Sequence, residues 1–140
     1  MSFLLAALLS TAPAQQLHQQ HVCMANAVWH EARGEPLKGR RAVVDVVLNR
    51  VKAEKAGICS VIFRRGQFTL AKPLWGKAPK MRGKPPHFMR LTKEKAVLYT
   101  TTLLHKPVLT DSRYVFFSRG YQYGSGCVRI GEHLFCKGKL

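Results

Sequence analysis

Apolar positions recur with a helical period over two adjoining stretches in the first half of the chain. Val22, Met24, Ala25, Ala27, Val28 and Trp29 make a dense apolar run, which predicts a helix over 15–33 packed into a core. Val44, Val47, Leu48 and Val51 then fall at i, i+3, i+4 and i+7. That spacing predicts a second helix over 37–55 with one apolar stripe, Arg40, Arg41 and Arg50 on its opposite side, and Gly57 as its stop. Gly34 and Pro36 separate the two helices, because Gly permits a left-handed C-cap and Pro cannot continue the hydrogen-bond ladder. Residues 59–63 form a short apolar segment, followed by a turn at 64–66. A further helix is expected over 92–104, with Thr92 as N-cap, Val97, Thr101 and Leu104 facing inward, and Pro107 beyond its end. After Pro107 the pattern changes. Tyr114-Val115-Phe116-Phe117 reads as a strand, 120–126 as a loop containing glycine and tyrosine, and 128–135 as a second short strand. Helices followed by a small β tail define an α+β class, mainly α, with a hairpin-like C-terminal part.

Two stretches do not follow these periods. Residues 72–87 are rich in Pro, Gly and Lys, the composition of a long loop, and such loops are often binding loops or lids. Trp75 within it suits either stacking on a sugar ring or anchoring the loop. Residues 1–14 hold a short apolar run, Phe3 to Leu9, too short to span a bilayer. Ala12-Pro13-Ala14 resembles a signal cleavage site, but no basic residue precedes the apolar run. The segment is read as a signal or as an N-terminal helix docked on a single catalytic domain of residues 15–140. No internal repeat or domain linker divides that unit.

Composition narrows the partners. Hydrophobic residues make up 46% of the chain, which excludes a disordered basic tail. Lys and Arg number 23 against 7 acidic residues, a formal charge of +16 that draws the protein to polyanions. No arginine-rich run or zinc-finger spacing singles out nucleic acid. Cys23, Cys59, Cys127 and Cys136 include no Cys-x-x-Cys pair, so a structural zinc site is not expected. Four cysteines suit two disulfides in any of three pairings, or free buried thiols.

The candidate chemistry rests on carboxyl groups. His30-Glu31 invites a zinc-protease reading, but that motif needs a second histidine at position 34, where Gly34 stands. There is no nucleophile elbow and no phosphate-binding loop, and the six histidines are scattered. Glu31 falls in the last turn of an apolar helix. There the negative end of the helix dipole and an apolar wall would both disfavour its ionised form, as a general acid requires. The same position also suits an exposed glutamate paired with Arg33 or a distant lysine. Spacing leaves both readings open.

A resemblance goes further. Glu31-Ala32-Arg33-Gly34-Glu35-Pro36, then Gly39, Ala42-Val43 and Val46-Val47-Leu48-Asn49-Arg50-Val51, is similar to the opening motif of the spore-cortex-lytic cell-wall hydrolase family. Cys59-Ser60-Val61-Ile62 and Gly66-Gln67-Phe68-Thr69 resemble its second block. Tyr114-Val115-Phe116-Phe117 and Ile130-Gly131-Glu132-His133-Leu134-Phe135 resemble its closing blocks. The blocks run in the family's order from Cys23 to Phe135. Thr69 stands where the family often has Ser, and Cys136 where it often has Tyr. The resemblance implies a lysozyme-like catalytic domain that cuts peptidoglycan glycan strands. It makes Glu31 the catalytic acid/base and gives Arg33 and Glu35 an organising role.

Glu31 can deliver the proton that glycosidic cleavage needs. The rival second carboxylates are Glu35, Asp45 and Asp111, none in an obvious catalytic setting. A single acid/base suits a lytic transglycosylase better than a muramidase. Gln67, Thr69, Trp75 and Tyr114 are the candidate substrate contacts. The expected partner is peptidoglycan, with anionic wall polymers, no specific nucleic acid and no stable membrane insertion. The expected protein is a monomer without metal or cofactor, acting in the periplasm or outside the cell as a secreted bacterial enzyme or a phage endolysin. The competing reading is a non-catalytic basic module that binds nucleic acid or wall polymer.

Overall fold

A computed structural model describes residues 2–64, 68–74 and 85–140, with 2–16, 71, 73 and 74 as backbone only. Four helices precede a three-stranded sheet: α1 (Ser2–Ala32), α2 (Leu37–Glu54), α3 (Ile58–Ile62) and α4 (Lys93–Leu104), then β1 (Tyr114–Ser118), β2 (Ser125–Ile130) and β3 (His133–Lys137). Short 3-10 turns occupy Thr69–Leu74 and His87–Met89. The first helix extends well N-terminal of the expected start at 15, as one continuous element from Ser2.

The second helix is the centre of the molecule. It packs against α1, α3, α4 and β1, so Ala42, Val43, Val44, Val46 and Val47 are all fully buried. A helix enclosed on several sides does not keep one apolar stripe and one wet face. Arg41 and Arg50, expected on the solvent side, are therefore buried, while Leu48 of the expected stripe is largely exposed. Buried charge is tolerable only when paired and hydrogen-bonded. Arg41 Nε donates to Asp45 Oδ1 at 3.1 Å, and Asp45 Oδ2 accepts from the backbone N–H of Val108 and Leu109 at 2.7 and 3.0 Å. Arg50 donates to the Val115 carbonyl at 3.2 Å and pairs with Glu54. Through these bonds and Asn49, which donates to the Tyr114 carbonyl at 2.9 Å, α2 carries the sheet.

Thr92 caps α4 by accepting from Lys95 N–H, as its sequence predicts. The inward face is different from the one expected. Lys95, Tyr99 and Thr102 are buried, whereas Val97, Thr101 and Leu104 face solvent. The phase is set by the Lys95 ammonium, which donates to Asn26 Oδ1 at 2.6 Å and to the carbonyls of Phe88 and Arg90 at 3.0 Å each. Three strong acceptors at one buried point outweigh the burial of two aliphatic side chains.

The sheet is antiparallel in the order β1-β3-β2. The stretch 128–135, expected as one strand, is instead the two arms of a hairpin. Ile130 pairs with His133 around a two-residue turn, and Gly131 has φ 60° at its first position, as a type II′ turn requires. All four cysteines are paired. Cys23–Cys59 ties α1 to α3, and Cys127–Cys136 ties β2 to β3.

Candidate active site

Glu31 reaches its position because α1 stops immediately after it. Arg33 N–H still bonds to the Trp29 carbonyl, Glu35 N–H closes a tighter turn onto the Ala32 carbonyl, and the chain turns into α2. The preceding turns of α1 are locked in the core by Cys23, Met24, Ala27 and Val28, and by the disulfide to α3. Glu31 is half-buried at the edge of this rigid end. Its Oε1 accepts two hydrogen bonds from one residue: the Thr69 backbone N–H at 3.0 Å and the Thr69 hydroxyl at 2.9 Å. Thr69 is held in turn by its neighbour Phe68, which is buried against Phe117 with ring centroids 5.7 Å apart. Arg33 does not pair with Glu31; its guanidinium lies over the Trp29 ring, 5.5 Å from the centroid.

Glu31 and Thr69 open on a cleft of about 660 Å³. Its other lining groups among the described residues are His30, Phe116, Phe117, Ser118, Arg119, Tyr123 and His133. Glu31 is the only carboxyl among them. Asp45, Asp111, Glu54 and Glu94 do not line the cleft. Asp45 is consumed by Arg41 and the 108–109 backbone. Asp111 bonds Arg113 and faces Lys137, and the Arg113 contacts hold its carboxyl well below the usual range. Glu54 pairs with Arg50 and Arg64, and Glu94 lines a separate hollow beside Trp29.

Glu35 organises the site from behind. It is buried, with Oε2 accepting from Glu132 N–H at 3.2 Å and Oε1 3.1 Å from His133 Nδ1. The Nδ1 contact lies off the line of a well-directed hydrogen bond, so its strength is electrostatic. A Cβ at Gly131 would overlap Glu35 Oε2, so the hairpin turn can lie on this carboxylate only because residue 131 has no side chain. The Glu35 contacts tie the α1–α2 corner to the hairpin, fixing one cleft wall to the other. Burial holds the His133 pKa below its ordinary value, against the pull of Glu35. Burial likewise lowers His30, which sits 3.4 Å from the Phe88 carbonyl.

Of the expected substrate contacts, Thr69 lies in the cleft beside Glu31. Tyr114 does not line it: its hydroxyl donates to the Gly126 carbonyl at 3.2 Å, and Lys137 lies over its ring. Tyr114 lies at the start of β1, before a register irregularity between Tyr114 and Phe116, whereas Phe116, Phe117 and Ser118 beyond it line the cleft. Gln67 and Trp75 lie outside the described residues. Sequence reasoning missed His30, Phe116, Ser118, Arg119, Tyr123 and His133. The closing blocks pointed toward His133 and Phe116, but nothing local distinguishes Arg119 or Tyr123 from ordinary loop residues.

The cell wall hydrolase family profile matches residues 34–136, beginning just after Glu31. The chain belongs to that family and is an enzyme of the peptidoglycan-cleaving, glycosidase-type class. Its fold is similar to the catalytic domain of the germination-specific lytic transglycosylase SleB from Bacillus anthracis, at 27% identity and TM-score 0.53, covering 85% of this chain and 94% of that one. It is also similar to the catalytic domain of the Bacillus cereus SleB protein, at 26% identity and TM-score 0.54, covering 86% and 91%. No curated protein matches the chain.

Proposed function

We propose that the protein cleaves peptidoglycan glycan strands by lytic transglycosylation, with Glu31 as the single acid/base. The observation that carries this reading is that Glu31, fixed through one oxygen by Thr69, is the one carboxyl lining the cleft among the described residues. Glu31 first gives its proton to the glycosidic oxygen as the bond from C1 breaks. The resulting carboxylate then takes the proton of the same sugar's 6-hydroxyl as that oxygen closes on C1. The ring closure yields a 1,6-anhydro end, consumes no water and returns Glu31 to its protonated form. A hydrolase would need a second carboxylate, about 5–5.5 Å away as a nucleophile or roughly 6.5–9.5 Å away to activate water. Glu35, Asp45 and Asp111 are held by other partners. The activity named for the Bacillus anthracis SleB domain supports the same reaction here.

The surplus of cations suits an anionic wall. Two disulfides fit an oxidising compartment and hence secretion or phage delivery. No helix among the described residues is long and apolar enough to cross a membrane. Mass spectrometry of digested peptidoglycan tests the reaction. Anhydro-muramyl ends are expected, and reducing ends alone would replace transglycosylation with hydrolysis.

A further inference from the structure

The sheet side of the cleft carries groups that the proposed reaction does not use. Ser118 Oγ accepts from Tyr121 N–H at 2.9 Å and also bonds the Tyr121 carbonyl, closing the turn after β1. Gln122 Nε2 donates to the Gly124 carbonyl at 3.0 Å, bracing the rest of that loop. The braced loop presents two tyrosines with ring centroids 5.2 Å apart, 69% exposed at Tyr121 and 61% at Tyr123. Tyr123 lines the cleft itself. Two touching aromatic rings left open to water contribute little to folding, whereas they offer a flat surface to a sugar face.

Arg119 lies between these features. It lines the cleft, is exposed, and makes no hydrogen bond or ion pair among the described residues. The carboxylates of Glu35, Asp45, Glu54 and Asp111 are already taken by other partners. Its charge nonetheless acts on His133 inside the same cleft. A guanidinium fork with no carboxylate partner among the described residues is shaped to take a carboxylate by two parallel bonds.

We propose that Arg119 and Tyr123 form a specificity subsite in which Tyr123 packs on a sugar ring and Arg119 pairs with a carboxylate carried by the strand. This rests on the glycan-cleaving reading above and adds what the cleft recognises. Two carboxylates have the required chemistry: that of an attached peptide, and the lactyl carboxylate exposed when the peptide is removed.

The test is a titration without turnover. Full-length protein carrying Glu31→Gln is titrated with soluble glycan strands in peptide-bearing form, in peptide-stripped form, and after carbodiimide amidation of each. Arg119→Gln is added in one variant. Lys52→Gln, an exposed cation on α2 outside the cleft, is added in another to match the change in net charge. Arg119→Gln should weaken binding to carboxylate-bearing strands about tenfold and leave amidated strands within about twofold, the scale of a charge-assisted hydrogen bond. Lys52→Gln should change little. The strand form that shows the loss identifies the carboxylate. Tyr123→Ala should weaken every form. Equal losses from Arg119→Gln and Lys52→Gln, equal losses on charged and amidated strands, or no binding of any strand would each overturn the subsite. Cleavage by the wild-type protein is scored separately, so a failed reaction and a failed subsite give different results.

Discussion

Thr69 donates both its backbone N–H and its hydroxyl to the same oxygen of Glu31, at 3.0 and 2.9 Å. Two donors from one residue fix the carboxyl's rotation without a second charged group. Among the described residues, Oε2 makes no hydrogen bond. The carboxyl is thus anchored through one oxygen.

Glu31→Gln is nearly isosteric and has no carboxyl proton to give. It should keep the fold and reduce lysis at least ~100-fold, the usual scale of a positioned acid/base. Zymograms and circular dichroism check the two halves. Near-wild-type lysis by folded protein would remove Glu31 from the mechanism.

Thr69→Ser keeps both donors and should retain most activity. Thr69→Val keeps only the backbone bond and should lower kcat by roughly tenfold, one hydrogen bond to a charged group being worth about 1.5–3 kcal/mol. Matched kinetics on solubilised strands decide it. Equal rates for Ser and Val would mean that the hydroxyl contributes nothing.

Acid should destabilise the protein chiefly through the buried His133 imidazole, with the exposed His30 contributing less. The folded pKa values of His133 and His30 lie below the ordinary histidine value, so the unfolded chain binds more protons in that window. Stability is therefore full above about pH 6.5 and falls as pH drops from there through the folded values. Thermal melts from about pH 7.5 to 5 should show a falling Tm, and His133→Gln should flatten that slope. An unchanged slope in the variant would assign the effect to other groups.

The two disulfides should contribute unequally. Cys23–Cys59 spans 36 residues and Cys127–Cys136 spans 9. Loop-entropy estimates give roughly 3.8 and 2.6 kcal/mol. Replacing both members of the first pair by Ala should lower Tm by more than replacing the second. It should also affect activity more, because it loosens α1 just upstream of Glu31. The reverse order in melting curves would show that unfolded-chain entropy is not the main contribution.

Lys95→Met should be costly although it replaces a charge with an apolar group of similar length. It would leave Asn26 Oδ1 and the carbonyls of Phe88 and Arg90 without their shared donor. The expected loss is at least about 2 kcal/mol, read by urea denaturation. A neutral or stabilised variant would show that α4 is held by packing instead.

The sequence by itself indicated helices ahead of a small β tail, the α1–α2 break, the Thr92 cap and the carboxyl proposed here as the acid/base. Those features are local: Pro36 and Thr92 act on their own backbones, and the motif around Glu31 is contiguous, although Gly34 does not adopt the left-handed conformation its sequence suggested. Tertiary structure alone decided which faces are buried. Val97 and Leu104 look like core residues until the Lys95 ammonium meets three acceptors from two other segments. Arg41 and Arg50 look like surface residues until α2 is enclosed on several sides. The cleft is likewise non-local. Glu31, Thr69, Arg119 and Tyr123 come from a helix end, a 3-10 turn and a loop beyond β1. Tyr114 was expected in the cleft, and Arg119 passed unnoticed. Which side chain faces the cleft depends on how the sheet docks on α2, and no single segment encodes that docking.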